Sequence, residues 1–269
     1  MKILIVGGGN MGKTYAKSFI HASICTQDQL IILEKSEEKA ASLREQDLGT
    51  IEGTPGPYIK EADLIILAVK PQDVNKLFDS LKPHVGTQQV YLSIMAGIPI
   101  KAIAKNMGVS KVIRAMPNLP AQIGKGMTVF TSSDAVTRIE LVMVQNLLNA
   151  TGKTIYVEFE DQIDAATAIS GSGPAYVFYF MQTMIESAKK LGFNKSQAEI
   201  MSIQTFAGAV DLFNKYNFSC EEWIQMVASR GGTTEAALNS FNKGEVNLDI
   251  DEGIKAAYNR ASELSKLVQ

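Results

Sequence analysis

The 269-residue sequence has only two cysteines, two histidines and one tryptophan, and it has no five-residue run of like charge. Cys25 and Cys220 lie almost two hundred residues apart with no neighbouring Cys or His at ligand spacing. That excludes a disulfide framework and leaves no metal site to expect. The two thiols read as bystanders in a reducing compartment. Lys and Arg total 26 against 28 Asp and Glu, a net charge of -2, so a nucleic-acid surface has no electrostatic support. No apolar run approaches membrane-spanning length, so no membrane partner is expected. The apolar part of "MKILIVGGGN" is only Ile3 to Val6, too short for the core of a signal peptide, and the expected location is the cytoplasm. Hydrophobic residues at 46% and charged residues at 20% describe a globular chain, and its length favours two domains.

What is present begins at residue 2. "KILIVGGGNMGKTYAKSFI" opens with a short β-branched apolar run, as a strand buried on both faces should. Gly7-x-Gly9-x-x-Gly12 follows, then a helical pattern in which Tyr15, Phe19 and Ile20 share a face. The first glycine permits a tight turn, the second lets a pyrophosphate approach the backbone, and the third lets helix and strand pack closely. The helix start adds free N–H groups and a positive dipole end. Glycine-rich turns also close ordinary α/β units, so the fingerprint needs a second feature. A second apolar run, Gln29 to Leu33, supplies it by ending at Glu34, where a carboxylate would grip the adenosine ribose hydroxyls.

Three more strands follow. "ADLIILAVKPQ" leaves its strand at Val69 to Pro71, "QQVYLSIMAG" near Ala96-Gly97, and "KVIRAMPNLP" at Asn118-Leu119-Pro120. Ligands of an open parallel sheet bind outside the carboxyl ends of its strands, so these exits should border one crevice. "GMTVFTSS" and "KTIYVEF" read as two further strands around a helix from about Asp134 to Asn149. From Asp161 onward every segment reads as helix. Asn194 with Gln197, and Ser219 with Glu222, have the spacing of capping boxes, and a last helix spans Asp249 to Val268. The expected fold is α/β: a Rossmann-like dinucleotide-binding domain over residues 1–160, then an all-α domain over 161–269.

The helix after Pro174 carries Tyr176, Val177, Phe178, Tyr179, Phe180 and Met181 in succession. A helix apolar on most sides must be covered. Either a subunit interface covers it, or it is the central helix of a self-contained bundle.

The chemistry is narrowed by a second shortage. His21 and His84 read as surface residues, and "SGSGPAYVFYFMQ" has no lysine before Lys189. Reducing a ketone needs a proton donor beside the reacting carbon, whereas a protonated C=N accepts hydride directly, so the pattern points to C=N chemistry. "SRGGTTEAAL", residues 229 to 238, places two glycines before a helix start at Thr233 or Thr234. That start suits an anion such as a carboxylate, with a threonine hydroxyl available to an amine. Its bland alternative is an N-cap and a flexible loop.

Taken together, "GGGNMG", "AVKPQ", "MPNLP", "SGSGPAYVF" and "SRGGTTEAAL" closely resemble the pyrroline-5-carboxylate reductases, in the right order over essentially the whole chain. The resemblance implies reduction of 1-pyrroline-5-carboxylate to L-proline by NADPH or NADH, and a homodimer through the C-terminal helices, sometimes built into decamers. It implies that Gly7, Gly9, Asn10, Met11 and Gly12 hold the pyrophosphate, that Ala68, Lys70 and Pro71 border the cofactor ribose, and that Ala96, Gly97 and Asn118 border the nicotinamide end. Gly232, Thr233 and Thr234 would take the substrate carboxylate by their N–H groups, with the Thr234 hydroxyl as the catalytic contact to the ring nitrogen and Ser229 shaping the loop. Two departures stand out. Glu34-Lys35 replaces a pair suited to a 2′-phosphate, which favours NADH, and Leu119 replaces the usual Thr. A related six-membered cyclic imine is the alternative substrate, and a silent dinucleotide sensor is the non-enzymatic alternative.

Overall fold

The computed structural model describes residues 1–267. The chain runs β1 (Ile3–Val6), α1 (Asn10–His21), β2 (Leu30–Leu33), α2 (Glu37–Glu45), β3 (Thr50–Glu52), β4 (Leu64–Leu67), α3 (Val74–Leu81), β5 (Val90–Ser93), α4 (Ile100–Met107) and β6 (Val112–Met116). It continues with β7 (Gly126–Ser132), α5 (Arg138–Asn149), β8 (Gly152–Tyr156), α6 (Asp161–Ala166), α7 (Gly173–Lys190), α8 (Lys195–Lys215), α9 (Cys220–Val227), α10 (Thr233–Lys243) and α11 (Val246–Leu267). All strands form one sheet in the order β3-β2-β1-β4-β5-β6-β7-β8. Neighbours are parallel except β6 and β7, which run antiparallel.

The sequences ILIV and LIIL form these central strands because each residue is buried on one face or the other. Ile3 and Ile5 point to a cluster with Tyr15 and Phe19 of α1, while Leu4 and Val6 point to one with Phe78 of α3 and Ile103 of α4. Alternation of side chains across a strand feeds both cores from one continuous apolar run. Each such side chain contributes about 1.5–3 kcal/mol by leaving water.

Register then positions the site. Val6 lies beside Leu33 of β2 and Leu67 of β4, so Gly7, Glu34 and Ala68 leave the sheet at one level. The strand order reverses direction at β1, which has β2 on one side and β4 on the other. That is the switch point where an open α/β sheet leaves a crevice.

The chain divides into two compact units, one of residues 1–172 together with the end of α11 from Ala256, the other Gly173–Lys255. The first unit thus extends past the sequence boundary at residue 160. The physical reason is that Ile163 and Ala166 of α6 pack with Val129 of β7. A π-helical turn, Thr167–Gly171, links α6 to α7.

In the second unit α7 and α8 pack together as a hairpin turning at Gly192, whose φ is +102°. Both anticipated capping boxes are present: Asn194 accepts from the Gln197 N–H at 3.0 Å, and Ser219 from the Glu222 N–H at 3.2 Å. α7 has no buried residue. Val177, Phe178, Tyr179 and Phe180 remain 37 to 72% exposed, so among the described residues the helices do not make the self-contained bundle that would bury them.

Some boundaries differ from the sequence reading. α5 starts at Arg138, not near Asp134, because Thr137 and Glu140 make a capping box there. α11 starts at Val246, earlier than Asp249; its expected end at Val268 lies outside the described residues. β3 has no sequence reading at all, being only three residues on the sheet edge.

Candidate active site

At Gly7 and Gly12 the loop is held by backbone contacts that leave no room for a side chain. Gly7 has φ +105°, and a Cβ there would lie 2.7 Å from the Ala68 carbonyl oxygen. A Cβ on Gly12 would strike the Gly7 carbonyl, so α1 can begin against β1 only with glycine at that position. Gly9 is the opposite case: a Cβ there would meet nothing within 4 Å. It is the N-cap of α1 and gives no side-chain cap. The opening turn of α1 at Asn10 and Met11 therefore presents uncapped N–H groups next to the open space at Gly9, the arrangement that binds phosphate, while Gly12 is buried against the loop. These residues fit a dinucleotide.

Glu34 follows β2 and is 7% exposed. Its carboxylate is fixed by two backbone donors, the N–H groups of Gly8 and Ser36, each at 2.9 Å. A Cβ on Gly8 would press on Leu43 and sit 3.3 Å from the carboxylate, so this middle glycine is what lets Glu34 lie against the loop. Glu34, Lys35, Gly7, Gly9, Ala68 and Lys70 line one cleft. Asp73 lines it too, and its carboxylate meets the Lys35 ammonium at 3.1 Å. Pro71 begins the short 3-10 turn that carries Asp73.

The other two strand exits lie further along the sheet. Gly97 has φ +70°, and a Cβ there would sit 2.7 Å from Leu264 Cβ, so Ala96-Gly97 turns beneath the end of α11. The Asn118 side chain is committed at both ends. Its Oδ1 accepts from the Met127 N–H at 2.9 Å and its Nδ2 donates to the Ser170 carbonyl at 3.0 Å. It fastens the β6 exit to the start of β7 and to the π-helical turn. Leu119 is 48% exposed.

The Ser229–Thr234 loop lies in the second unit. Gly232 is the N-cap of α10, which starts at Thr233. Gly231 has φ +72°, a conformation suited to glycine. Gly232 donates its N–H to the Ser229 carbonyl at 3.0 Å, so that group is not available as the sequence reading placed it. Among the described residues, the N–H groups of Thr233 and Thr234 meet no protein acceptor. Thr234 also borders an apolar recess with Trp223 and Leu238.

Three features escaped the sequence reading. Glu235 accepts from the Gly231 N–H at 2.7 Å, closing the loop from the first turn of α10. Arg114 of β6 is 2% exposed and pairs with Asp164 at 2.6 Å and Glu160 at 3.0 Å. Glu160 also accepts the Ile100 N–H at 2.8 Å. The third is the Lys35–Asp73 pair. Only the Glu235 contact carries a sequence signal, an acid three residues past the N-cap.

A glycine-loop cleft at the switch point of a parallel sheet, followed by a helical segment with an uncapped helix start, defines a dinucleotide-dependent oxidoreductase of two parts. Residues 2–97 match the family model described as NADP oxidoreductase coenzyme F420-dependent, and residues 160–264 match that for pyrroline-5-carboxylate reductase dimerisation. The pyrroline-5-carboxylate reductase of Pseudomonas aeruginosa is 32% identical over 98% of this chain and 97% of its own. Pyrroline-5-carboxylate reductase 2 of Bacillus subtilis is 32% identical over 98% and 95%. Among solved structures, the enzyme of Coxiella burnetii has a TM-score of 0.87 at 31% identity, covering 98% of each chain. That of Plasmodium falciparum, solved with NADP bound, has a TM-score of 0.89 at 25% identity with the same coverage. The chain belongs to the pyrroline-5-carboxylate reductase family. Its second part carries the family's dimerisation segment, which marks it as a homo-oligomer, and no helix among the described residues is long and apolar enough to cross a membrane.

Proposed function

We propose that the chain reduces 1-pyrroline-5-carboxylate to L-proline with NAD(P)H in the cytoplasm, as the last step of proline biosynthesis. The observation that carries this reading is the pairing of an uncapped α1 start beside Gly9 with a second uncapped start at Thr233 and Thr234. One suits a pyrophosphate and the other a small carboxylate. A bound reduced nicotinamide would supply hydride for the ring carbon of a protonated C=N, whose electron pair would pass to the nitrogen; that nitrogen keeps its proton as the product amine.

The chain's own work is positioning. Gly7, Gly9, Asn10, Met11 and Gly12 hold the pyrophosphate, Ala68, Lys70 and Pro71 border the ribose, and Ala96, Gly97 and Asn118 shape the nicotinamide end. Asn118 does so through the backbone it braces, since its side-chain amide is already bonded. The Thr233 and Thr234 N–H groups take the substrate carboxylate, Thr234 Oγ1 faces the ring nitrogen, and Ser229, through its carbonyl bond to Gly232, holds the turn. Residues 1–160 thus serve the cofactor and 161–269 serve substrate and dimer, the dimer being the unit of a decamer. The exposed apolar face of α7 supports that assembly.

Glu34 supports a preference for NADH. Its carboxylate is pinned by Gly8 and Ser36, leaving the second lone pair of each oxygen for ribose hydroxyls, and a 2′-phosphate would meet a fixed negative charge. The test is the loss of reduced-cofactor absorbance on adding 1-pyrroline-5-carboxylate, with NADH and NADPH side by side and proline identified as product. No turnover with either in a folded, nucleotide-binding protein would sink the reaction; equal or better kcat/KM with NADPH would sink the preference.

A further inference from the structure

We propose that Asp73 is a cofactor-specificity residue that acts through Lys35, withholding the Lys35 ammonium from a ribose 2′-phosphate. The proposal rests on the reading of the cleft as the adenosine end of the cofactor site.

Asp73 occupies the N-cap position of α3, where an aspartate ordinarily accepts from the N–H groups of the next turn. It makes no such bond. Pro71 opens a 3-10 turn over Pro71–Asp73, and the turn leaves Asp73 in a helical conformation, φ -92° and ψ -4°. A capping side chain needs an extended backbone at that residue. The carboxylate is therefore free of its own helix and reaches from the β4 side of the cleft to the β2 side, where it meets Lys35 Nζ at 3.1 Å. Register makes the span possible, because β1 alone separates the two strands that carry the pair.

The charges of the cleft give the pair its consequence. Lys35, Lys39, Lys70 and Lys76 all line it, against Glu34 and Asp73. The lysines oppose the Glu34 carboxylate in deciding how this cleft receives a 2′-phosphate. The fixed Glu34 carboxylate repels a 2′-phosphate, and a free lysine beside it would offset that repulsion. Lys35, the residue next to Glu34 in the chain, is the cation a 2′-phosphate beside the Glu34 carboxylate would recruit. Engaged by Asp73, it enters the cleft as half of a neutral pair. The side chains are 77% and 42% exposed, so the pair adds little to folding and substitutions there leave the fold standing. Its effect on a ligand within a few ångströms lies inside the screening length of physiological salt.

The experiment is a double-substitution cycle on the full-length protein with Asp73→Asn, Lys35→Ala and both together. The dissociation constants of NAD+ and NADP+ are measured by calorimetry without imine substrate, and kcat/KM for NADH and NADPH is measured with it. Asp73→Asn is expected to move the NADP+ to NAD+ affinity ratio toward NADP+ about three- to tenfold, and the gain should vanish when Lys35 is also removed. An unchanged ratio in Asp73→Asn overturns the proposal. So does a gain that survives in the double variant, since Asp73 would then act by its own charge. Wild-type protein that prefers NADPH would refute the reading of Glu34, while the cycle would still decide on Asp73.

Discussion

Arg114 Nη2 lies 2.6 Å from Asp164 Oδ1, with the guanidinium 2% exposed, and so joins β6 to α6 across 50 residues of sequence. The other terminal nitrogen meets Glu160, which in turn receives the Ile100 N–H at the start of α4. Ser265 near the end of α11 donates to the same Asp164 oxygen at 2.9 Å. One buried cation thus organises the segments around the β5 and β6 exits. Arg114→Met would leave two carboxylates facing each other without a counter-charge. A stability loss of about 3–5 kcal/mol is expected, read as a lower midpoint in urea with unchanged slope. Arg114→Lys keeps the charge but loses the fork, and should fall between the two.

The Ser229–Thr234 loop, proposed above to take the substrate carboxylate, predicts a separation of binding from chemistry. Thr234→Ala should lower kcat/KM for the imine about tenfold, the value of one good hydrogen bond to a charged group. Nucleotide affinity should not move, because Thr234 does not line the cleft proposed for the dinucleotide. Thr234→Ser should recover most of the loss. Kinetics of Thr234→Ala indistinguishable from wild type would remove the hydroxyl from the site.

Glu140 supplies the pH prediction. Burial pushes its carboxyl upward, but hydrogen bonds from Lys111 and from the N–H and hydroxyl of Thr137 outweigh burial and hold it below its ordinary 4.5. A lowered native pKa contributes stability that is complete above 4.5 and is lost as pH falls through the lower native value. Glu140→Gln should therefore cost about 1 kcal/mol at neutral pH, and the gap from wild type should close in that acid range. A gap that stays constant down to acid unfolding would show that the charge is irrelevant there.

The uncovered face of α7 predicts an assembly that one charge can break. Tyr179 is 72% exposed at the centre of the apolar run. Tyr179→Asp should shift the protein toward monomers in sedimentation velocity, since a buried unpaired carboxylate costs several kcal/mol in an interface. Unaltered sedimentation would place the interface elsewhere.

Where the determinants are local, the sequence is a sufficient guide. The continuous apolar runs of β1 and β4, the glycine spacing before α1, and the capping boxes at Asn194 and Ser219 each act over a few residues, so their meaning survives without coordinates. Boundaries missed where a cap had a nearer competitor, as at Thr137, which displaces the α5 start from Asp134. Edge strand β3 is too short to show an alternating pattern. The Gly232 N–H illustrates a subtler limit: a helix start is readable, but whether its first donor is already spent on Ser229 depends on loop geometry.

The sequence by itself determined the sheet-forming segments, the glycine-rich loop, the helical second part and a helix start at Thr233 or Thr234, because hydrophobic period, glycine and capping chemistry are properties of neighbouring residues. Only the tertiary structure decided that Glu34 would be clamped by Gly8, that Asp73 would turn from its own helix to Lys35, and that Arg114 would gather Glu160, Asp164 and Ser265. Charges and buried donors choose partners through space, and strand order and register, not chain distance, set which groups stand within hydrogen-bonding reach.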